Sequence, residues 1–285
     1  MIFHLLMGTR RQTRVNTIAL TLTALLGLGA LAGCSGSGLA PPTATASGGK
    51  AASSAGSSPG ARPLAASVAR SAPALLRGAL AALRSGGSVH VDINVTLPGG
   101  SIVESDDATA SGGRQIMSIG QAAHATILFI AGVGYVNADA KGLNGFFGVP
   151  QLQAKQFADR WIALRHGDKL GQTTYDDLTA GITLSSVASE LEPASTPKLA
   201  PSNTINGQRV VAVQAPAQVS GLTSKATETL DVTDNSLMRP VLAKVVAGGG
   251  YSSQMSFTHW GETLHLSTPS GAVPASAVTP ASVTA

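Results

Sequence analysis

The most regular pattern in this 285-residue sequence is a strict alternation of apolar and polar residues that follows position 88. The aliphatic residues are Val89, Val91, Ile93, Val95 and Leu97, and the polar residues between them are His90, Asp92, Asn94 and Thr96. Successive side chains of a strand point to opposite faces of the sheet, so this period predicts a strand. One aliphatic and one polar face are typical of an antiparallel sheet that is wet on one side. The aliphatic face therefore needs a cover.

Further short runs of β-prone residues predict that this strand belongs to a large sheet. Turn-forming residues such as Pro98-Gly99-Gly100 and Gly248-Gly249-Gly250 separate these runs, and Asn206-Gly207 is a turn pair within the run 204–214. The other predicted strands are 102–110, 115–119, 124–130, 134–137, 161–164, 204–214, 226–232, 237–246, 251–260 and 263–267. Apolar residues at helical spacing predict helices over 73–84, 151–159 and 174–191. Grouped strands rather than repeated strand–helix alternation indicate an α+β fold, in which helices 73–84 and 174–191 cover the sheet.

The N-terminus has the form of an export signal. Three arginines (Arg10, Arg11 and Arg14) precede an uncharged run over 15–30, which is shorter than the roughly 20 apolar residues of a membrane span. Leu31-Ala32-Gly33-Cys34 follows and resembles the bacterial lipobox. The resemblance implies cleavage after Gly33 and lipid on the Cys34 thiol. An ordinary signal peptide that carries a cysteine is the alternative, although Cys34 is the sole cysteine and has no intrachain disulfide partner.

These patterns predict four segments along the chain. They are a lipoprotein signal peptide (1–33), a lipidated Gly/Ser/Ala/Pro-rich tether (34–66), a folded domain (67–268) and a disordered C-terminal tail (269–285). Removal of residues 1–33 leaves 16 Lys and Arg against 15 Asp and Glu, a net charge of +1. That charge gives no basic surface for nucleic acid, so we expect no nucleic-acid partner.

No catalytic constellation, cofactor motif or metal-ligand set is found in the sequence. Gly56-Ser57-Ser58-Pro59-Gly60 matches G-x-S-x-G, but it lies in the tether and not between a strand and a helix. The five histidines that follow Cys34 are not spaced as a metal site. Asp106 and Asp107 are adjacent, so on a strand their carboxylates diverge. We predict neither an enzyme, nor a cofactor, nor a metal site.

Several landmarks resemble the LppX/LprAFG lipoproteins of mycobacteria and their relatives. Ser88-Val89-His90-Val91 after a helix, Arg160-Trp161-Ile162, Asn206-Gly207-Gln208-Arg209-Val210 and Met255–Gly261 are similar in order and spacing to the family's strands. The resemblance implies a curved antiparallel sheet, a half-barrel similar to carriers of the LolA type, with helices across its concave face. It also implies an apolar cavity for an acylated lipid or glycolipid. A membrane that holds the Cys34 lipid and a membrane transporter are the further partners implied.

Seven residues of the predicted sheet and helices are candidates for lining that cavity. They are Val91, Ile93, Val95, Leu128, Ile130, Leu178 and Ile182. The leading hypothesis is a non-enzymatic lipid carrier attached to the extracytoplasmic face of the cell membrane. A packed envelope scaffold that binds protein is the second hypothesis, and an enzyme with an unrecognised site is the third. Bound lipid, an exposed apolar or strand-edge patch, and converging polar groups in a pocket would distinguish the three.

Overall fold

The structure is a computed structural model that describes residues 70–219 and 225–278. The predicted signal peptide (1–33), Cys34 and the tether (34–66) lie outside the described residues. The helices are α1 (Ala72–Ser85), α2 (Ala140–Phe147), α3 (Gln151–Phe157), α4 (Tyr175–Thr179), α5 (Leu184–Glu190) and α6 (Ala275–Val278).

Most of the strands join one large sheet. They are β1 (Ser88–Leu97), β2 (Gly100–Thr109), β3 (Gly113–Ile119), β4 (Ala123–Ile130), β5 (Val133–Ala138), β6 (Ile162–Leu164), β9 (Lys198–Ile205), β10 (Gln208–Ala217), β11 (Ala226–Thr233), β12 (Pro240–Ala247), β13 (Ser252–Thr258) and β14 (Val273–Pro274). Two more, β7 (Lys169–Leu170) and β8 (Thr173–Thr174), form a separate hairpin.

The strand order within the described residues is β14-β6-β5-β4-β3-β2-β1-β13-β12-β11-β10-β9, a twelve-stranded open sheet. Its pairs are antiparallel except β14 and β6, which run parallel at one edge. An open sheet this wide usually curls because every strand adds twist. The predicted α+β class with an antiparallel sheet and covering helices is confirmed, and the parallel edge pair makes the sheet mixed.

The predicted helix and strand at the start of the domain are both present. α1 buries Leu75, Ala79, Leu80 and Leu83 on one side, and Pro at its first turn suits the helix start. In β1 the aliphatic residues are buried, and the polar residues between them are half-buried or exposed. Leu80 and Leu83 belong to the same apolar cluster as Val89 and Val91, so this helix covers the aliphatic face as expected.

The single helix predicted over 174–191 is wrong, because the structure has two short helices there. Thr174 and Thr183 each form a capping box that starts a new helix, α4 and α5. Between them Ala180 is extended and Gly181 has φ of 84°, which interrupts the helical backbone. Local capping residues therefore divide a segment whose apolar spacing alone suggested continuity.

Helix α2 has no counterpart among the helices predicted from the sequence. Asp139 caps its first turn by accepting a hydrogen bond from the Gly142 backbone N–H at 2.6 Å, and Gly148 ends it in a left-handed conformation. The helix contains Gly142 and Gly145, and its sequence does not indicate a helix because glycine disfavours that conformation. A Cβ on Gly142 would meet the His124 carbonyl, so this glycine lets the helix approach strand β4 closely.

The C-terminal predictions need two corrections. Residues 263–267 form no strand, because the chain leaves the sheet after Thr258 and these residues pair with no other strand. The predicted disordered tail (269–285) is ordered over Val273–Val278, where β14 pairs with β6 and α6 buries Ala275 and Val278. Small apolar residues in a Pro/Ala/Ser-rich stretch look like a tail in sequence, but here they fill a core position. Residues 279–285 lie outside the described part.

Candidate functional site

Helices cover one face of the sheet, and the strand register shows which residues point to that face. Directly opposed residues in an antiparallel pair point to the same side. Val91 faces Phe257 on β13 and Asp106 on β2, and the row continues through Gln115 to Ile127. Members of this row share apolar clusters with residues of α1, α2 and α5. We call this side the helix-covered face, and it is the candidate site.

The apolar residues of the helix-covered face form two separate large clusters. The first joins α1 and α5 to β1, β2, β11, β12 and β13, and the second joins α2, α3, α4 and α6 to β4, β5, β6 and β7. Ile119 on β3 is half-buried and packs against both clusters. A domain usually has one contiguous core, so this division is unusual. Ile102 and Ala108, near the two ends of β2, belong to the first cluster, so the boundary lies at the centre of β2 and at β3.

Buried polar side chains lie at that boundary. Glu104 is 3 %, Asp106 1 % and Gln115 2 % exposed, although all three are on the helix-covered face. The Gln115 side-chain N–H donates a hydrogen bond to Glu104 Oε1. Buried carboxylates carry a large desolvation cost and are retained only where neighbouring groups satisfy them. This polar boundary was not predicted from the sequence. Glu104 and Asp106 occupy alternate positions of a predicted strand, which places them on the same face.

A carboxyl group also lies within the first half of the helix-covered face. Glu228 on β11 is opposed to Ala215 and Val245, both apolar. Burial raises the pKa of Glu228 to about 7. A carboxyl beside the first apolar cluster is therefore largely neutral below pH 6 and charged at pH 8.

Replacement of Glu228 by glutamine should make the protein more stable at pH 8 and leave it unchanged at pH 4.5. The raised pKa means that native Glu228 holds its proton better than the unfolded chain does. The contribution of Glu228 to the free energy of unfolding is complete below about pH 4.3, the pKa of the unfolded chain. It is lost as pH rises through about 7, the pKa of the folded protein. We expect a gain of about 1–2 kcal/mol at pH 8, measured by urea unfolding. The exposed Glu262→Gln variant should show no such pH-dependent gain, and equal gains at both pH values would contradict the assignment.

The structure brings together only some of the predicted cavity-lining residues. Val91, Ile93 and Val95 belong to the first cluster, whereas Leu178 and Ile182 belong to the second. Leu128 and Ile130 are placed differently. Leu128 is opposed to Arg114 and Tyr135 and alternates with Ile127, so it points to the opposite face. Ile130 has the same parity, and these two predicted lining positions are corrected.

The face opposite the helices carries a polar network on β1, β2 and β3. His90 Nδ1 lies 2.6 Å from Asp107 Oδ1, and its Nε2 lies 3.2 Å from Asp92 Oδ1. Arg114 donates to Asp107 Oδ2 through Nε at 3.0 Å and Nη2 at 2.5 Å. The His259 ring contacts the His90 ring edge-on, with centroids 5.4 Å apart. Asp106 and Asp107 thus diverge to opposite faces, as their adjacency predicts.

Protonation of Asp107 should destabilise the protein in acid. Burial by itself raises the pKa of Asp107, but hydrogen bonds and charge from His90 and Arg114 outweigh burial and lower it. The lowered pKa gives stability that is present above the unfolded pKa of about 3.9 and is lost as pH falls through the native value. We expect Asp107→Asn to flatten the fall in unfolding temperature below pH 4. An unchanged acid profile would show that the network adds no stability.

Residues 70–219 and 225–278 contain neither a metal site nor a membrane span. No group of three or more His, Cys, Asp or Glu side chains is arranged there to hold a metal ion. No helix in this part of the chain has the length and apolar character needed to cross a membrane.

Comparison with known proteins finds likeness in solved structures alone. No family model and no curated protein matches the chain. The structure is similar to the lipoprotein LppX of Mycobacterium tuberculosis (17 % identity, TM-score 0.45), covering 68 % of this chain and 99 % of that one. LprF of Mycobacterium bovis is similar at 14 % identity and TM-score 0.44, covering 70 % and 97 %. An uncharacterised conserved protein of Thermus thermophilus is similar at 7 % identity and TM-score 0.39, covering 71 % and 97 %.

Proposed function

We propose that this protein is an exported lipoprotein, attached to the outer side of the cell membrane by lipid on Cys34, that binds an acylated lipid or glycolipid. The ligand lies between the sheet and its helices, and the protein carries it without catalysing a reaction. The charged start, the short apolar run and the single cysteine at 34 support export and attachment. The tether over 34–66 gives the folded domain reach from the membrane.

The divided apolar core is the observation that supports lipid binding most strongly. Aliphatic side chains and short helices line both halves of the helix-covered face, with aromatic rings such as Phe257 in the first half and Phe146 in the second. An apolar site with a small number of polar groups is the usual surrounding of an acyl-chain ligand. Here the buried Glu104, Asp106 and Gln115 would be the polar groups, positioned between two aliphatic regions.

The alternative function, a packed scaffold that binds protein, also has an observation in its favour. Val91 and Val95 are 1 % exposed and Ile182 is 0 % exposed, so neighbouring protein atoms already surround these predicted lining residues. If every such side chain is closely packed, the two clusters are simply two cores. Lipid stoichiometry separates these hypotheses because only a carrier retains a ligand.

Native mass spectrometry of the mature chain with Cys34→Ser, followed by organic extraction, tests the proposal. We expect acylated lipid near one molecule per chain after incubation with vesicles of envelope phospholipid. Ile119→Trp places a bulky ring where the clusters meet and should reduce bound lipid about tenfold. Its matched control is Ile116→Trp, on the same strand but on the opposite face and 43 % exposed, which should bind normally.

Each other outcome has a defined meaning. A lipid-free mass for the folded parent chain, unchanged after incubation, would exclude the carrier and favour the packed scaffold. Equal binding by both tryptophan variants would show that a ligand is bound elsewhere on the protein. Circular dichroism of each variant confirms that a loss of lipid is not a loss of fold.

A further inference from the structure

The chain crosses the sheet after its last antiparallel strand. The Gly261 N–H donates to the Ser88 carbonyl at 3.0 Å, and Ser88 Oγ donates to the Glu262 carbonyl at 2.6 Å, so the chain is beside β1 there. By Val273, whose N–H donates to the Trp161 carbonyl at 2.9 Å, it is beside β6. Strands β2 to β5 lie between these points. We call residues 263–278 the C-terminal strap.

The strap is long enough to make this crossing. Five strand spacings correspond to about 24 Å, and the residues from 263 to 272 reach at most about 33 Å. Leu264 and Leu266 are half-buried, and His265 between them is exposed, so one side of the segment lies against protein. The residues from 263 to 269 form no helix or strand. The strap is therefore held mainly at its two ends.

The far end of the strap contributes to the second apolar cluster. Ala275 and Val278 on α6 are both 0 % exposed and belong to the cluster that contains Leu178 and Ile182. α6 contacts β6, β7 and β14. The strap thus fills one end of the helix-covered face with two small apolar side chains.

The helix at this end is the shortest of those that cover the second cluster. α6 has four residues, against five in α4, seven in α3 and eight in α2. The strand that leads into it joins the sheet through the two-residue pair of β14 with β6. Because β14 pairs only with β6, and in parallel, release of the strap breaks none of the antiparallel ladders. Elements with few buried contacts near a terminus open at a lower free-energy cost than the core does.

We propose that the C-terminal strap is a latch, and that release of α6 from the second cluster opens the entry route for the acyl chain of a lipid. The acyl chain takes the apolar space that Ala275 and Val278 occupy in the closed form. This inference rests on the proposed lipid-binding function. It assigns the access point to the β6 edge of the sheet.

The rate of lipid transfer tests the latch. We would use the mature chain with Cys34→Ser and vesicles of phosphatidylglycerol that contain a pyrene-labelled phospholipid, and record uptake by stopped-flow fluorescence. Val278→Ser weakens the buried end of the strap and should accelerate both uptake and release at least about tenfold. The control, Ala277→Ser, changes the neighbouring exposed residue and should leave both rates unchanged. A chain ending at Ser270 should transfer lipid as fast as Val278→Ser or faster.

Hydrogen exchange provides a second readout that needs no ligand. In the parent chain, the backbone amides of 273–278 should exchange at least about a hundredfold faster than those of β4 and β5, and Val278→Ser should accelerate exchange in the strap alone. Stoichiometric lipid binding with unchanged transfer rates in Val278→Ser would overturn the latch but leave the lipid carrier intact. Absence of lipid binding by the parent chain would overturn both. If the backbone amides of 273–278 exchange only at the rate of the amides of β4 and β5, the latch is also excluded.

Discussion

Replacement of Gly113 by alanine is expected to lower the free energy of unfolding by about 3 kcal/mol, at the upper end of the effect of overpacking a buried site. A Cβ at this position would meet the backbone oxygens of Ile182 and Asp107 and the Ile182 side chain, all closer than 3.0 Å. Two of these three neighbours are backbone atoms, so a rotamer change cannot relieve the clash. Strand β3 would have to move away from strand β2 and from the segment that links α4 to α5.

A second glycine of the same chain provides the matched control. Gly145 lies in α2, and a Cβ there would meet nothing within 4 Å. Gly145→Ala should therefore stabilise the protein by about 0.5–1 kcal/mol, because alanine loses less conformational freedom in a helix. Urea unfolding of both variants against the parent chain measures the two opposite effects. A loss below about 1 kcal/mol for Gly113→Ala would show that the strand and the 180–183 segment can move apart freely.

Replacement of Cys34 by serine should move the protein from the membrane fraction to the soluble fraction almost completely. A diacylglyceryl group places two acyl chains in the bilayer, which holds a protein stably, whereas one chain gives only weak, reversible binding. Serine has no thiol to accept that group. The measurement is fractionation of the expressing cells, together with the intact mass of the mature protein.

The neighbouring variant Ser35→Ala is the control for this prediction. It retains the Cys34 thiol and should remain in the membrane with the added mass of lipid. Retention of Cys34→Ser in the membrane after a salt wash would show that attachment depends on some other segment. Cleavage of the parent chain at a position other than the bond before Cys34 would favour an ordinary signal peptide.

Together these variants separate attachment, folding and ligand binding. Cys34 lies outside the described fold, and Gly113 is at the contact of the sheet with the 180–183 segment. Ile119 lies where the two apolar clusters meet. We expect Cys34→Ser to change only the location of the protein, Gly113→Ala mainly its stability and Ile119→Trp its lipid content. Each property would then depend on its own part of the chain.

The sequence by itself determined the elements whose evidence is local. The period of two over Val89–Leu97 predicted β1 and its buried face, and the apolar spacing near Leu80 predicted α1. Asn206-Gly207 was identified as a turn pair, and both residues have positive φ in the turn before β10, although β9 on its other side was not predicted. Periodicity and turn chemistry act over a few residues, so a single chain is enough to reveal them.

Only the tertiary structure decided what depends on register and long-range packing. A shift of one residue exchanges the faces of a strand, which is why Leu128 and Ile130 were assigned to the wrong side. The pairing of β2 with β3 placed Glu104 and Gln115 together in a buried boundary. The burial of Val278 likewise depends on a partner strand more than a hundred residues earlier, β6. No local pattern encodes such contacts, because their free energy comes from surfaces that meet only in the folded chain.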